Sequence, residues 1–407
     1  MKKILVILIA AILFFGCKKQ GVNVTSQTNP TPKIDTSTSA VVIDANMTQQ
    51  TIYGFGGADI IDWTGDLTPA QRDTAFSPTN GIGLSIVRVR VPVDSTEFNQ
   101  VKATIDACKS YGGFAIASVW SAPAYMKTND STIGGTIKTT SYADYAAYLR
   151  AFNKASGGLA AISPTNEPNF AATYESMQMT ASQVAEFVTA EGDSCGAPIM
   201  APEPFNMDQT FINTYLSNDS AKSKTAFIAG HIYGATPYVL SVDKPVWMTE
   251  HYINSNLSGD DWSNAMNAAK EINDCMSAGW GAYVWWYIRR SYGPISESGN
   301  IQKLGYVMAQ YARYIRPGYT KISCTENPST GIYATTYKSG SKIVVVAINQ
   351  NSSEVYLPFN LNGASVSGFT SYTTTSSSNL VPGNVSISGS VFGTTLSGMS
   401  ITTLVSD

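Results

Sequence analysis

Two glutamates in two short motifs carry the chemistry of this chain. Glu167 sits in Ser163-Pro164-Thr165-Asn166-Glu167-Pro168, and Glu250 in Val246-Trp247-Met248-Thr249-Glu250-His251. Each motif closes an apolar run. Paired carboxylates that flank one bond are the equipment for glycoside hydrolysis, one as acid and base and the other as nucleophile or base. A separation of roughly 5–5.5 Å gives the retaining, double-displacement course, and a wider gap leaves room for an attacking water. Either glutamate alone reads equally well as a strand-end ion pair. The two together, closing the fourth and seventh strands of one barrel, favour the catalytic reading.

The elements that must position them recur as short apolar or β-branched runs. They are Ile52–Gly57, Leu84–Val91, Phe114–Trp120, Ala160–Glu167, Ala197–Glu203, Thr225–Tyr233, Lys244–His251 and Gly281–Tyr287. Helix-like stretches lie between them, among them Val101–Ser110, Tyr142–Ala155, Ala181–Asp193 and Trp262–Ala278. Repeated β-then-α units predict an α/β fold, a (β/α)8 TIM barrel over residues 52–316, close to the roughly 250 residues usual for it. A doubly wound open sheet is the alternative. The absence of a Gly-rich dinucleotide or phosphate fingerprint after any run speaks against it.

Barrel sites form at the C-terminal ends of the strands. Those ends carry Arg88 and Arg90 on one face, then Trp120, Asn166-Glu167, Glu203, His231 and Tyr233, Glu250, and Trp285-Trp286-Tyr287. Trp120 and Tyr233 are read as walls of a sugar site. Successive strand residues point to opposite faces, so only one of Trp285 and Trp286 can face the mouth. Arg88 or Arg90 is a candidate to keep Glu250 ionised, whereas Glu167 needs a partly desolvated place to hold its proton. The only histidines, His231 and His251, have no partner at metal-ligand spacing and are expected in a hydrogen-bonded wall. No metal and no cofactor are expected.

Of the 407 residues only 14% are charged and 11% are aromatic, with a net charge of −3. Nothing global attracts nucleic acid or an anionic membrane. Met1-Lys2-Lys3 and the apolar stretch Ile4–Phe15 form a leader too short to span a bilayer. Gly16-Cys17 follows, in the pattern of a bacterial lipoprotein signal, with Phe14 where leucine is usual. Lipidation at Cys17 and a cell-envelope location are expected, with the membrane met only through that N-terminal lipid. Residues 18–39, rich in Thr, Ser, Asn and Pro, read as a flexible tether. Cys108, Cys195, Cys275 and Cys324 show no zinc spacing and read as buried free thiols.

After Pro317 the texture turns all-β, with strand-like runs at Gly331–Tyr337, Ser341–Ile348, Glu354–Leu361 and Val385–Ser390. With no long linker, residues 317–407 are expected to join residues 40–51 in an attached, sandwich-like β side domain. A separate carbohydrate-binding module is the rival reading.

The chain resembles the retaining (β/α)8 glycosidases and, more closely, glycoside hydrolase family 30 in its bacterial glucuronoxylanase branch. The stretches that carry the resemblance are Gly54–Gly57, Trp120–Asn129, Ser163–Pro168, Thr249–Tyr252, Val284–Gly293, Gly305–Gln310 and Arg316–Tyr319. It implies Glu167 as acid/base, Glu250 as nucleophile, and Asn166 as donor to the sugar 2-hydroxyl. It selects Trp286 over Trp285 as the sugar platform. It also implies that Arg290 and Tyr292, with Tyr252 and Ser255, bind the carboxylate of a glucuronic acid branch on xylan. An arginine fork suits that carboxylate. Arg289 and Arg290 have a plainer alternative, pairing with a nearby acid, and Arg289 is left with it. The expected activity is endo-β-1,4-xylan cleavage positioned by the branch, by a monomer. Rival readings are a hydrolase of unbranched xylan or another β-linked glycan, and a non-catalytic glycan-binding lipoprotein. Arg290 and Tyr292 speak against the first, and two intact carboxylates against the second.

Overall fold

The structure is a computed structural model that describes residues 39–407. The expected leader, Cys17 and all but the last residue of the tether lie outside the described residues.

The chain enters through β1 (Val41–Ile52). Eight strands then close in sequence order into a parallel barrel: β2 (Gly54–Asp59), β3 (Ile86–Arg90), β4 (Phe114–Ser118), β5 (Ala161–Ser163), β6 (Ile199–Pro202), β7 (Thr225–His231), β8 (Val246–His251) and β9 (Ala282–Tyr287). Outside them lie α1 (Ile61–Thr64), α2 (Pro69–Phe76), α3 (Lys102–Ser110), α4 (Tyr142–Ala155), α5 (Ala181–Glu191), α6 (Gln209–Leu216), α7 (Asp219–Lys224), α8 (Trp262–Ser277) and α9 (Lys303–Ala312).

Two local departures have clear causes. The run Ile52–Gly57 is not one strand: Ile52 ends β1, and the chain turns a corner at Gly54, whose φ is +143°. A Cβ there would meet Ser85 Oγ at 2.2 Å, so only glycine fits. The crossover from β7 to β8 carries no helix across residues 232–245. Gly234, Pro237 and Pro245 punctuate it. Extended chain replaces the helix there, pinned by Tyr238, whose hydroxyl donates to the Met207 carbonyl at 2.8 Å and whose own carbonyl accepts from Trp280 Nε1 at 3.0 Å.

Alternation along the strands sorts the side chains into two cores. The lower lumen is filled by Ile86, Ile116, Ala161, Met200, Ala229, Trp247, Ala282 and Val284. Trp247 plugs it, its ring stacked on Phe227 with centroids 3.7 Å apart. The outward residues, such as Val87, Val89, Tyr283 and Trp285, pack beneath the helices. Tyr145, Ala146, Leu149 and Phe152 form the buried stripe of α4. Each large apolar side chain buried in this way contributes roughly 1.5–3 kcal/mol. Thr68 with Gln71 and Thr180 with Gln183 close reciprocal capping boxes at α2 and α5.

The C-terminal strands are β10 (Tyr319–Cys324), β11 (Ile332–Ser339), β12 (Lys342–Asn349), β13 (Val355–Asn362), β14 (Gly368–Thr374), β15 (Val381–Ser386), β16 (Val391–Leu396) and β17 (Ser400–Ser406). With β1 they make one nine-stranded sheet in the order β15-β14-β17-β12-β11-β10-β1-β13-β16. β1 pairs antiparallel with β10 and parallel with β13. The run Val385–Ser390 is not a strand: it straddles the turn between β15 and β16. The unbroken apolar run of β12 has a direct explanation. Ile343, Val345 and Ala347 face the sheet's own core, while Val344, Val346 and Ile348 face the barrel helices. Buried hydrogen bonds fasten that contact: Gln310 donates to Thr374 Oγ1 at 2.8 Å, and Thr403 Oγ1 donates to the Gln310 carbonyl at 2.7 Å. Cys108, Cys195 and Cys275 are buried free thiols, and Cys324 is a half-buried one.

Candidate active site

Above the apolar plug lies a layer of buried polar and charged groups. Arg88 stands at its centre, fully buried. Its Nε donates to Ser118 Oγ at 3.1 Å, Nη1 to Glu250 Oε2 at 2.5 Å, and Nη2 to Asn166 Oδ1 at 2.5 Å and Glu203 Oε1 at 3.2 Å. Glu203 Oε1 also accepts from Ser118 Oγ at 3.0 Å and Thr249 Oγ1 at 2.7 Å. Burial alone would raise the Glu203 carboxyl. Arg88, His231 and Thr249 outweigh that and hold it down at about 2. It is therefore a fixed anion beneath the site.

The chain leaves β5 and β6 through left-handed backbone at Glu167 (φ 47°) and Glu203 (φ 56°). Such a conformation costs of order 1–3 kcal/mol for a non-glycine residue. Two hydrogen bonds retain it: Glu167 N–H donates to the Glu203 carbonyl, and Glu203 N–H to the Ala229 carbonyl, each at 3.0 Å. On β8 the pairing register shifts between Met248 and His251. Strict alternation is broken there, so Thr249 and Glu250 both reach the mouth.

Glu167 and Glu250 thereby meet. The closest oxygens of the pair, together with His231 Nδ1, all lie within 4.8 Å of one another. Glu250 accepts from Arg88 on Oε2 and from the Tyr233 hydroxyl on Oε1 at 2.8 Å. Burial lifts the Glu250 carboxyl above its usual range and the neighbouring Glu167 adds to this, against the pull of His231 and Arg88. Glu167 Oε1 contacts His231 Nδ1 at 2.8 Å. Burial would push His231 down, but Glu250, Glu167 and Glu203 together hold the imidazole up at about 9. Three ligand atoms converge here, from Glu167, His231 and Glu250, with the positive charge of the Arg88 guanidinium beside them opposing a cation. His231 is thus the hydrogen-bonded wall expected, and His251 likewise contacts Glu271 at 2.8 Å.

The pair opens into a cleft of about 590 Å³ lined by Trp63, Trp120, Phe170, Tyr174, Glu175, Phe205, Tyr233, Tyr252, Trp286 and Tyr287. Trp120 lies under the Arg88 guanidinium at 4.7 Å and against Trp286 at 5.8 Å. Trp285 is buried on the outer face, so Trp286 is the member of the pair that faces the mouth. Arg90, one layer above Arg88, pairs with Asp62 and with both oxygens of Glu175. It therefore organises the rim and does not touch Glu250.

Tyr252 packs against Tyr292 at 5.3 Å, and the Arg290 guanidinium lies 5.4 Å from the Tyr287 ring centre. Arg290 and Tyr292 thus extend one wall of the cleft outward. Arg290 is 41% exposed and has Glu297 Oε1 at 3.6 Å. Arg289 is tied to the Thr64, Gly65 and Asp66 carbonyls and to Gln71, with Glu297 Oε2 no closer than 3.9 Å, so main-chain carbonyls hold it more than the expected acid does. Ser255 is exposed on the loop after β8, beyond the residues that line the cleft. Sequence reasoning missed Trp63, Phe170, Tyr174, Glu175 and Phe205. The signal for Trp63, Phe170 and Phe205 was position: each is an aromatic two to four residues past a strand-end motif.

A closed parallel barrel with two carboxylates this close at its C-terminal mouth defines a (β/α)8 glycoside hydrolase. No family model matches the chain. It is 37% identical over 388 residues to glucuronoxylanase XynC of Bacillus subtilis strain 168, spanning 90% of this chain and 92% of that protein. Among solved structures it resembles the glycoside hydrolase family 30 subfamily 8 xylanase Xyn30A of Clostridium acetobutylicum, at TM-score 0.84 and 31% identity over 90% of this chain and 99% of that one. The GH30 endoxylanase of Clostridium papyrosolvens C71 superposes at TM-score 0.81 with 30% identity, over 91% and 100%. The chain belongs to glycoside hydrolase family 30.

Proposed function

We propose that this enzyme is a retaining endo-β-1,4-xylanase that cuts glucuronoxylan at a position set by a glucuronic acid branch. The observation that carries the chemistry is the approach of the Glu167 and Glu250 oxygens to within 4.8 Å, on the retaining side of the roughly 5–5.5 and 6.5–9.5 Å classes. Glu250 is the nucleophile: both its oxygens accept from fixed donors, Arg88 and Tyr233, which favour the anion. Glu167 is the acid/base, its Oε1 positioned by His231 Nδ1 at 2.8 Å. Glu167 gives its proton to the glycosidic oxygen as that oxygen leaves, and a C–O bond forms to Glu250. Water then attacks the sugar carbon: its oxygen forms the new C–O bond, its proton goes to Glu167, and the ester bond to Glu250 breaks. Asn166, its Oδ1 held by Arg88, keeps its amide N–H free for the 2-hydroxyl of the sugar under attack.

Branch recognition is assigned to Arg290, with Tyr292, Tyr252 and Ser255. Its support is that Arg290 is half-exposed, loosely paired with an exposed glutamate, and continuous with the aromatic wall. A surface pair of that kind is worth about 0–1 kcal/mol, so an incoming carboxylate displaces Glu297 readily. Export as a lipoprotein through Cys17 and function as a monomer complete the reading. The test is to digest glucuronoxylan and unbranched xylan and to map the branch in each product. A branch at one fixed place relative to every cut supports the proposal. Equal rates on both polymers, with branches scattered in the products, end it.

A further inference from the structure

A second run of aromatic rings joins the Trp286 wall through Tyr252, on which Tyr233 packs at 5.3 Å. Phe170 and Phe205 stack at 4.8 Å with 26° between their planes, and Phe205 stacks in turn on Tyr233 at 5.8 Å and 17°. All three rings line the cleft. Phe170 ends the ladder and is 37% exposed. Its exposed part borders the cleft. It is also held in place. Asn169 Oδ1 accepts from the Phe205 N–H at 2.8 Å, its Nδ2 donates to the Phe205 carbonyl at 3.4 Å, and the Phe170 N–H donates to the Glu167 carbonyl at 2.9 Å. The loops after β5 and β6 are thus clipped together, with the ring fixed three positions beyond Glu167.

The two ends of this aromatic lining are assigned to the two sides of a bound chain, which rests on the reading just proposed. The branch residue Arg290 lies on Tyr287, and Tyr287 lies 4.3 Å from Trp286. The branched, glycone side of the substrate is therefore the Trp286 side. Glu167 protonates the oxygen that departs, and the departing chain leaves past Glu167, where Phe170 stands. We infer that Phe170, backed by Phe205 and Tyr233, is the platform for the leaving-group sugar, and for an acceptor sugar that takes the place of water. In the acceptor reaction the C–O bond to Glu250 breaks, a bond to the acceptor oxygen forms, and the hydroxyl proton goes to Glu167.

The test compares two donors with the same branched glycone, one with a xylose oligomer as leaving group and one with fluoride. Both form the same ester on Glu250, but only the first places a sugar on Phe170. In Phe170→Ala, kcat/KM for the sugar leaving group is expected to fall about tenfold further than for fluoride, the size of a lost apolar contact in a substrate pocket. Acceleration of ester turnover by added xylobiose is expected to fall by a similar factor. Phe170→Tyr should retain both. Asn169→Ala, which keeps the ring but frees its loop, should reproduce part of the loss if truncation at Phe170 impairs folding. Equal losses on both donors, or undiminished acceleration by xylobiose, overturn the platform alone. A wild type that forms no ester with either donor overturns the platform and the reading beneath it.

Discussion

Substituting Glu203 by glutamine removes one buried charge while keeping the side chain's shape. Glu203 is fully buried and is held from an ordinary 4.5 to about 2 by Arg88, His231 and Thr249 acting against burial. Each unit of such a shift corresponds to about 1.4 kcal/mol, so the ionised group contributes about 3 kcal/mol to folding. The sign follows from the depressed value. The contribution is fully present above the unfolded carboxyl's titration near 4.5, and is lost as pH falls toward and through 2. Glu203→Gln should therefore be about 3 kcal/mol less stable than wild type at pH 7. At pH 3 the gap should narrow by about 2 kcal/mol, at one proton's slope of about 1.4 kcal/mol per pH unit. Urea unfolding of both proteins at a series of pH values gives this difference directly, because groups outside the layer titrate alike in the two and cancel. A gap that stays constant from pH 7 to pH 3, or a variant as stable as wild type, would refute the claim that Glu203 is the anion that anchors Arg88 and His231.

Arg290→Ala should lower kcat/KM on glucuronoxylan by about ten- to a hundredfold, since a charge-assisted contact is worth about 1.5–3 kcal/mol. Its slow action on unbranched xylan should barely change, and Arg290→Lys should recover little because a point charge does not reproduce the fork; rates on the two polymers decide this. Tyr233→Phe deletes the 2.8 Å donor to Glu250 and should lower kcat by about tenfold or more with KM little changed. Equal wild-type and variant kcat would show that the bond matters only for packing.

Much of this site is legible in the sequence because strand alternation is local. Arg88 and Arg90 share a face, Trp286 faces in where Trp285 faces out, and the eight runs give the barrel in order. What was not legible depends on contacts between distant strands. Arg88 joins groups from β4, the loops after β5 and β6, and β8, and no spacing in the chain announces that convergence. The division of labour between the two arginines was likewise hidden, because it depends on Asp62 of α1 and Glu175 of the loop after β5 reaching Arg90. The shift of register on β8 escapes a rule of strict alternation. The corner at Gly54 was missed because Ile52 is as apolar as the residues that follow it.

The central claim is that Glu250 forms the covalent bond to the sugar while Glu167 moves the proton. Incubation with a 2-deoxy-2-fluoro xylo-oligosaccharide donor that carries a good leaving group should trap the ester, and peptide mass spectrometry should then find the sugar. The account predicts a single modified peptide with the added mass on Glu250, and none in Glu250→Gln. A label on Glu167 or elsewhere, or full turnover of the donor with no labelled peptide at any time, would contradict it.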